Sequence, residues 1–433
     1  MPNWTLDGLR SADPVLGLAF VMLLAVVLAN MLHRYARLPR VMGTMLVGAL
    51  ASPFALRLID RSDLDPWKPL LDLAIGVLVF ELGSRIRPRW LYDNPWLAAM
   101  CVLEGVLAGI AVTLALAWSG APAVSAAMAG AVAMSTSPVI VMAMLHESRP
   151  RGQVTERLLL AAAVNSVLAI LAIEGWRVVA AVGAPSPGAE MLSVGAGALY
   201  VVCGSFLLGV ACGYVLHRLS RGTAESGAMP VLQIALVIAA SLLAAQWKLS
   251  PLMTLLAAGV TARVAMGHRL TVEPQLGSAG AVLTVLLFIS LGLLFSLEGA
   301  AEVWPWALAI IVARLAGKAL GIFATAQKSG LGWRQAGALT IALQPMSSLA
   351  VLLAADSFVR PTPPGMNSAV LQALLLATTV MQLGGPLAMQ WALQAVARES
   401  DGSGETRIGT SSGSGTSSSR STAAGAGTSA GAR

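Results

Sequence analysis

Ser135-Thr136-Ser137-Pro138 lies deep inside an apolar run, and Asn165-Ser166 lies inside the next one. A third polar group, Gln344-Pro345-Met346-Ser347-Ser348, recurs far down the chain, again in mid-run. Hydroxyl and amide oxygens are hard ligands suited to a small cation. Three ionisable residues join them at comparable depth: Glu104, Arg314 and Lys318. A charge placed there is a candidate for function, because an unpaired ion in a bilayer is costly. The chemistry these residues offer is ligation of a cation and carriage of a proton. No nucleophile–base set or metal motif accompanies them, so neither an enzyme nor a cofactor is expected.

The elements that must position them are membrane helices. The chain has 433 residues, 56% of them hydrophobic and only 11% charged, against about a quarter charged in a globular protein. Apolar stretches of about 18 residues or more recur from Pro14 to Val396, each long enough to cross a bilayer. The expected fold class is an all-α polytopic membrane protein of about 13 transmembrane helices. The net charge of +7 then reflects basic loops and calls for no nucleic acid. Residues 1–397 form the transmembrane domain. Residues 398–433, rich in Ser, Gly, Thr and Ala, cannot bury a core and are expected to be a disordered cytoplasmic tail.

The two prolines decide the local architecture. Pro138 and Pro345 each remove a helical hydrogen bond and crowd the preceding turn. In lipid such a break survives only where it faces protein or a wet cavity. The span over Ala123–His146 and that over Ala336–Phe358 are therefore expected to be broken helices. An offset of about 210 residues relates Phe80-Glu81-Leu82-Gly83 to Ile289-Ser290-Leu291-Gly292, Glu104 to Arg314, and Ser137-Pro138 to Gln344-Pro345. The offset covers an odd number of spans, so the halves run in opposite directions. That is an inverted repeat with two broken, crossing helices. Glu104 and Arg314, equivalent in this symmetry and equally deep, are expected to pair. Glu174 with Arg177 and Glu81 with Arg85 are expected to form local salt bridges.

Arg34, Arg37, Arg40, Arg85, Arg87, Arg89, Arg149, Arg151 and most other basic loop residues fall on one side; Arg10, Arg57, Arg61, Lys68, Lys248 and Arg360 fall on the other. The positive-inside rule puts the N-terminus outside and the C-terminus in the cytoplasm. Trp67, Trp90, Trp118, Trp247, Trp304 and Trp333 sit near span ends, as an interfacial belt does. His33, His146, His217 and His268 fall at cytoplasmic helix ends. There they serve as interfacial anchors or as a pH sensor.

Leu38-Pro39-Arg40-Val41-Met42-Gly43, Val79-Phe80-Glu81-Leu82-Gly83, Thr136-Ser137-Pro138, Arg314 with Gly317-Lys318, and Pro345-Met346-Ser347-Ser348 occur in order and correctly spaced. Together they resemble monovalent cation:proton antiporters, in the branch of sodium- and potassium-proton exchangers, over about residues 14–397. The resemblance implies secondary active transport by alternating access, a monovalent cation and a proton as partners, a homodimer in a lipid bilayer, and location in the bacterial inner membrane. It implies ion binding at Thr136, Ser137, Asn165, Ser166, Gln344 and Ser347. Proton coupling or charge compensation falls to Lys318, Arg314 and Glu104. One departure stands out: the family usually carries Asp-Asp or Asn-Asp in its sixth helix, where this chain has Asn165-Ser166. Lys318 is thus expected to lack its family partner and to carry the proton itself, and Asn165→Asp to restore that pair. The alternatives are a same-fold transporter with altered or uncoupled chemistry, and a non-transporting sensor or scaffold.

Overall fold

The computed structural model describes residues 14–53, 55–58, 66–150, 152–180, 187–221, 229–267, 277–293, 300–348, 350–351 and 366–408. The expectations for Arg10, Arg61, Arg151, His268, Arg269, Arg360 and the tail from 409 onward lie outside them.

Every regular element among the described residues is helical. The chain opens with α1 (Pro14–Ala36), α2 (Arg40–Ala51) and α3 (Lys68–Arg85). A short α4 (Pro88–Asp93) leads into α5 (Pro95–Trp118). The first broken span is α6 (Ala123–Ala133) followed by α7 (Pro138–Ser148). Next come α8 (Gln153–Ala180), α9 (Pro187–Ser220), α10 (Met229–Gln246), α11 (Pro251–Met266) and α12 (Gly277–Leu293). The second half of the site comes from α13 (Ala300–Ala326) and α14 (Trp333–Ala342), after which helical turns resume at 348. The last helix, α15 (Ser368–Ile408), continues past residue 397, where the sequence placed the end of the membrane domain.

Eight of these segments are long and apolar enough to cross a membrane, and three shorter apolar helices accompany them. Large apolar side chains face outwards around the bundle, among them Leu207, Leu242, Val264 and Leu320. In water a surface of that kind would drive association; it suits helices long and apolar enough to cross a membrane.

Two separate apolar clusters show how the helices group. Val112, Leu116, Met128, Ile173, Ile310, Met346 and Leu374 knit α5, α6, α8, α13, the second break and α15 together. Leu18, Ala25, Val47, Leu286 and Ile289 knit α1, α2 and α12. A larger cluster joins the two groups through α3, α7, α8 and α11.

The inverted repeat is visible as two glycine crossings. A Cβ added at Gly292 on α12 would lie 2.9 Å from the Cα of Gly48 on α2, and one at Gly83 on α3 would lie 3.1 Å from the Cα of Gly259 on α11. The sequence offset exchanges Gly48 with Gly259 and Gly83 with Gly292, so each crossing is the image of the other. Only glycine lets backbones approach this closely, a packing device common in membrane bundles.

Candidate functional site

The site begins with two interruptions. α6 ends at Ala133, and residues 134–137 are non-helical before α7 starts at Pro138. Ser137 is the N-cap of α7: its Oγ accepts from the Ile140 N–H at 3.3 Å, and Pro138 fills the first helical position. That placement suits both residue types, since the N1 N–H needs no helical acceptor. α14 ends at Ala342, and residues 343–347 form the second interruption.

The two breaks touch. The Ser137 N–H donates to the Pro345 carbonyl at 2.9 Å, Thr136 Oγ1 to the Leu343 carbonyl at 3.3 Å, and the Ser347 N–H to Ser135 Oγ at 3.4 Å. Backbone groups freed by one proline are thus partly satisfied by the other break, which is how irregular backbone persists at membrane depth. Gln382 on α15 adds a donor to the Met346 carbonyl at 3.2 Å. Ser135 was named from the sequence only as part of the polar run, with no role of its own, and Gln382 was not singled out. A glutamine in the middle of an apolar span was the available signal.

Arg314 closes the ends of both half-helices. Its Nε donates to the Ala133 carbonyl at 2.9 Å, and one terminal nitrogen donates to the Ser135 carbonyl at 2.6 Å and the Leu343 carbonyl at 3.2 Å. The other donates to the Gln344 carbonyl at 2.7 Å and to Gln344 Oε1 at 3.2 Å. Carbonyls at a helix C-terminus have no helical partner and carry the negative end of the macrodipole. A planar guanidinium with five donors fits two such ends at once.

The expected Glu104–Arg314 pair does not form. Glu104 instead meets Lys318: Nζ lies 2.5 Å from Glu104 Oε2, and both side chains are fully buried. Lys318 is therefore not without a partner. The reason is an offset along the helices. Arg314 and Lys318 share a face of α13, but Gly321 lies against Glu104 and Gly317 against Ala108. Lys318 is therefore within reach of Glu104, while Arg314, one turn back, is level with the carbonyls of the breaks. Gly317 and Gly321 flank Lys318 and lie directly against the α5 backbone at Ala108 and Glu104. With this Gly-x-x-x-Gly contact, α5 and α13 are the most extensive helix pair among the described residues. Gly321→Ala would drive a methyl into the Glu104 backbone, at a cost of about 1–3 kcal/mol for overpacking. We expect it to lower the melting temperature in detergent and to reduce transport by parting Lys318 from Glu104. Unchanged melting and transport would show that the approach is not needed.

Asn165 completes the cluster. Its Nδ2 donates to Glu104 Oε1 at 2.6 Å and to Thr136 Oγ1 at 3.1 Å, while Lys318 Nζ reaches the same Thr136 Oγ1 at 3.2 Å. Asn165 Oδ1 is buried without a hydrogen-bond partner. Four of the residues singled out from the sequence, Glu104, Thr136, Asn165 and Lys318, thus converge. Of the others, Ser166 Oγ donates to the Ala162 carbonyl at 2.8 Å, Ser137 caps α7, Gln344 serves Arg314, and the Ser347 backbone bonds to Ser135.

On one side of this cluster a cavity of about 960 Å³ opens between the two helix groups, lined by Arg40, Glu81, Arg85, His146, Glu147 and Glu156, among others. Glu81 Oε1 accepts from Arg85 at 2.7 Å, as expected, and also meets His146 Nε2 at 2.8 Å. Glu147 accepts from the Arg40 and Val41 backbone N–H groups at 2.6 and 3.3 Å, at the N-terminus of α2. The Glu174–Arg177 bridge forms at 2.8 Å.

The sodium/hydrogen exchanger transmembrane family profile matches residues 19–395. The chain belongs to the sodium/hydrogen exchanger family. The exchanger is thus an integral membrane transporter for a monovalent cation and protons. The sodium proton antiporter MjNhaP1 of Methanocaldococcus jannaschii has a similar fold. Its structure at pH 8 superposes with a TM-score of 0.65 at 13% identity, covering 89% of this chain and 97% of that one. An electron-microscopy map of MjNhaP1 gives 0.63 at 14% identity, covering 92% and 98%. No curated protein matches the chain.

Proposed function

We propose that the exchanger takes its cation at the crossing of the two breaks and couples its passage to a proton carried on Lys318. The observation that supports this most is the Lys318 ammonium itself, fully buried against Thr136 and Glu104 where the breaks meet. A second positive ion a few ångströms away would raise the energy of that ammonium steeply in so dry a site. Cation binding and proton release then become alternatives. Thr136 and Asn165 supply nearby oxygens. Ser137, Gln344 and Ser347 shape the surroundings through the breaks they hold, and Ser166 lies beside Asn165 on α8.

Access alternates as the bundle of α5–α8 and α13–α15 moves against the panel of α1–α3 and α10–α12. The panel also forms the homodimer contact. The excess of basic loop residues on one side supports an N-terminus outside and a C-terminus in the cytoplasm, and the membrane is a bacterial inner membrane in this reading. The large cavity then opens to the cytoplasm.

The test is dye-monitored proton flux in proteoliposomes on adding sodium, potassium or lithium. Wild type should respond to at least one of them. Lys318→Gln, confirmed as folded by size-exclusion profile, should give the flux of empty vesicles. A folded Lys318→Gln variant with wild-type flux would remove Lys318 from the proton path.

A further inference from the structure

We propose that Glu104 is the carboxylate that binds the transported cation, and that Asn165 lends the second ligand oxygen by turning its side-chain amide. This rests on the antiport reading above and adds the ligand set.

Glu104 is fully buried, and both of its oxygens are occupied by donors: Oε1 by the Asn165 amide and Oε2 by the Lys318 ammonium. Thr136 Oγ1 touches the same two donors. The donors stand where a cation would have to stand. The oxygens are therefore capped by these two donors, and admitting a cation means removing them. Lys318 leaves as a ligand when it gives up its proton. The Asn165 amide leaves by a different route.

Asn165 Oδ1 is the second observation. It is buried with no partner, whereas nearly all buried polar atoms in native proteins have one. A half-turn of the amide exchanges Nδ2 and Oδ1. Without a cation that turn would set Oδ1 against Glu104 Oε1, oxygen to oxygen. With a cation present, Glu104 Oε1, Thr136 Oγ1 and Asn165 Oδ1 become three hard oxygens around one ion. The atom that has no protein partner is then the one that turns to the cation.

The acid and the amide are in contact across α5 and α8, so the charge can be moved from one position to the other without moving the site. This gives an isosteric test with four proteins: wild type, Glu104→Gln, Asn165→Asp and the double variant Glu104→Gln/Asn165→Asp. Two readouts apply: the rise in melting temperature on adding sodium, lithium or potassium, which reports binding alone, and proton flux in proteoliposomes.

Glu104→Gln should lose both the cation-dependent melting shift and the flux. Asn165→Asp should also be impaired, because two carboxylates would then face each other at hydrogen-bond distance and hold a proton between them. The double variant should regain a cation-dependent shift, since it again has one acid and one amide beside Thr136 and Lys318. A folded Glu104→Gln protein that keeps its melting shift overturns the proposal. Should Glu104→Gln not fold, the double variant decides: a regained shift supports the assignment, and a folded double variant without one refutes it. A wild type whose melting responds to cation but which moves no protons would instead sink the antiport reading and leave Glu104 as the binding carboxylate.

Discussion

Arg314→Ala should be the most destabilising single change in the membrane domain, lowering stability by more than about 4 kcal/mol. The guanidinium donates to four backbone carbonyls and one side-chain oxygen. Alanine would leave the ends of α6 and α14 with carbonyls that neither water nor lipid can reach. Each abandoned group costs about 1–3 kcal/mol, and the space left by the side chain adds a cavity term. Arg314→Lys should recover only part of the loss, because an ammonium has three donors on one atom and cannot span both breaks. The measurement is the melting temperature of purified protein in detergent. An Arg314→Ala protein melting within about 2 °C of wild type would mean that the breaks are held by something else.

Lys318→Met should destabilise by about 3–5 kcal/mol, because it leaves the Glu104 carboxylate buried with no counter-charge. Glu104→Leu should do the same to Lys318. The double variant Glu104→Leu/Lys318→Met should be milder than the sum of the two, since an apolar pair in an apolar setting leaves nothing unpaired. A double-mutant cycle reads this directly. Coupling between Glu104 and Lys318 should exceed that between Glu104 and Arg314, the pair the sequence symmetry had suggested. Equal or reversed couplings would contradict the contact geometry, whatever the transport activity.

These two residues show how far sequence alone could go. Pro138 and Pro345 announced the breaks because proline in an apolar run has few structural explanations. Their symmetric spacing announced that the breaks cross, and the Ser137–Pro345 hydrogen bond bears that out. The pairing of charges was not legible in the same way. Depth along a helix can be counted from residue numbers, and by depth Glu104 matches Arg314. How two helices slide against one another depends on what packs between them. Arg314 is level with carbonyls whose exposure is a product of the fold, and the close backbone contact sets Gly321 against Glu104, which brings Lys318 within reach of it. The signal was present in Gly317-Lys318-Ala319-Leu320-Gly321, whose two glycines lie against Ala108 and Glu104 on α5. Two glycines bracketing a buried lysine mark the side from which another helix approaches. The contact of His146 with Glu81 had no such marker, since residues 65 positions apart carry no periodic relation.

His146 and Glu147 are neighbours on α7, yet they hold different helices of the panel, α3 and α2. If α7 travels with the moving bundle, both attachments must break in the same displacement and re-form on its return. Both border the wide cavity, so dissolved ions reach them and weaken them as salt concentration rises. Ionic strength on that side would then set how long the exchanger dwells in each orientation, even when the added salt is one it cannot carry. Its turnover would register the ionic strength of a compartment as well as the gradient across the membrane.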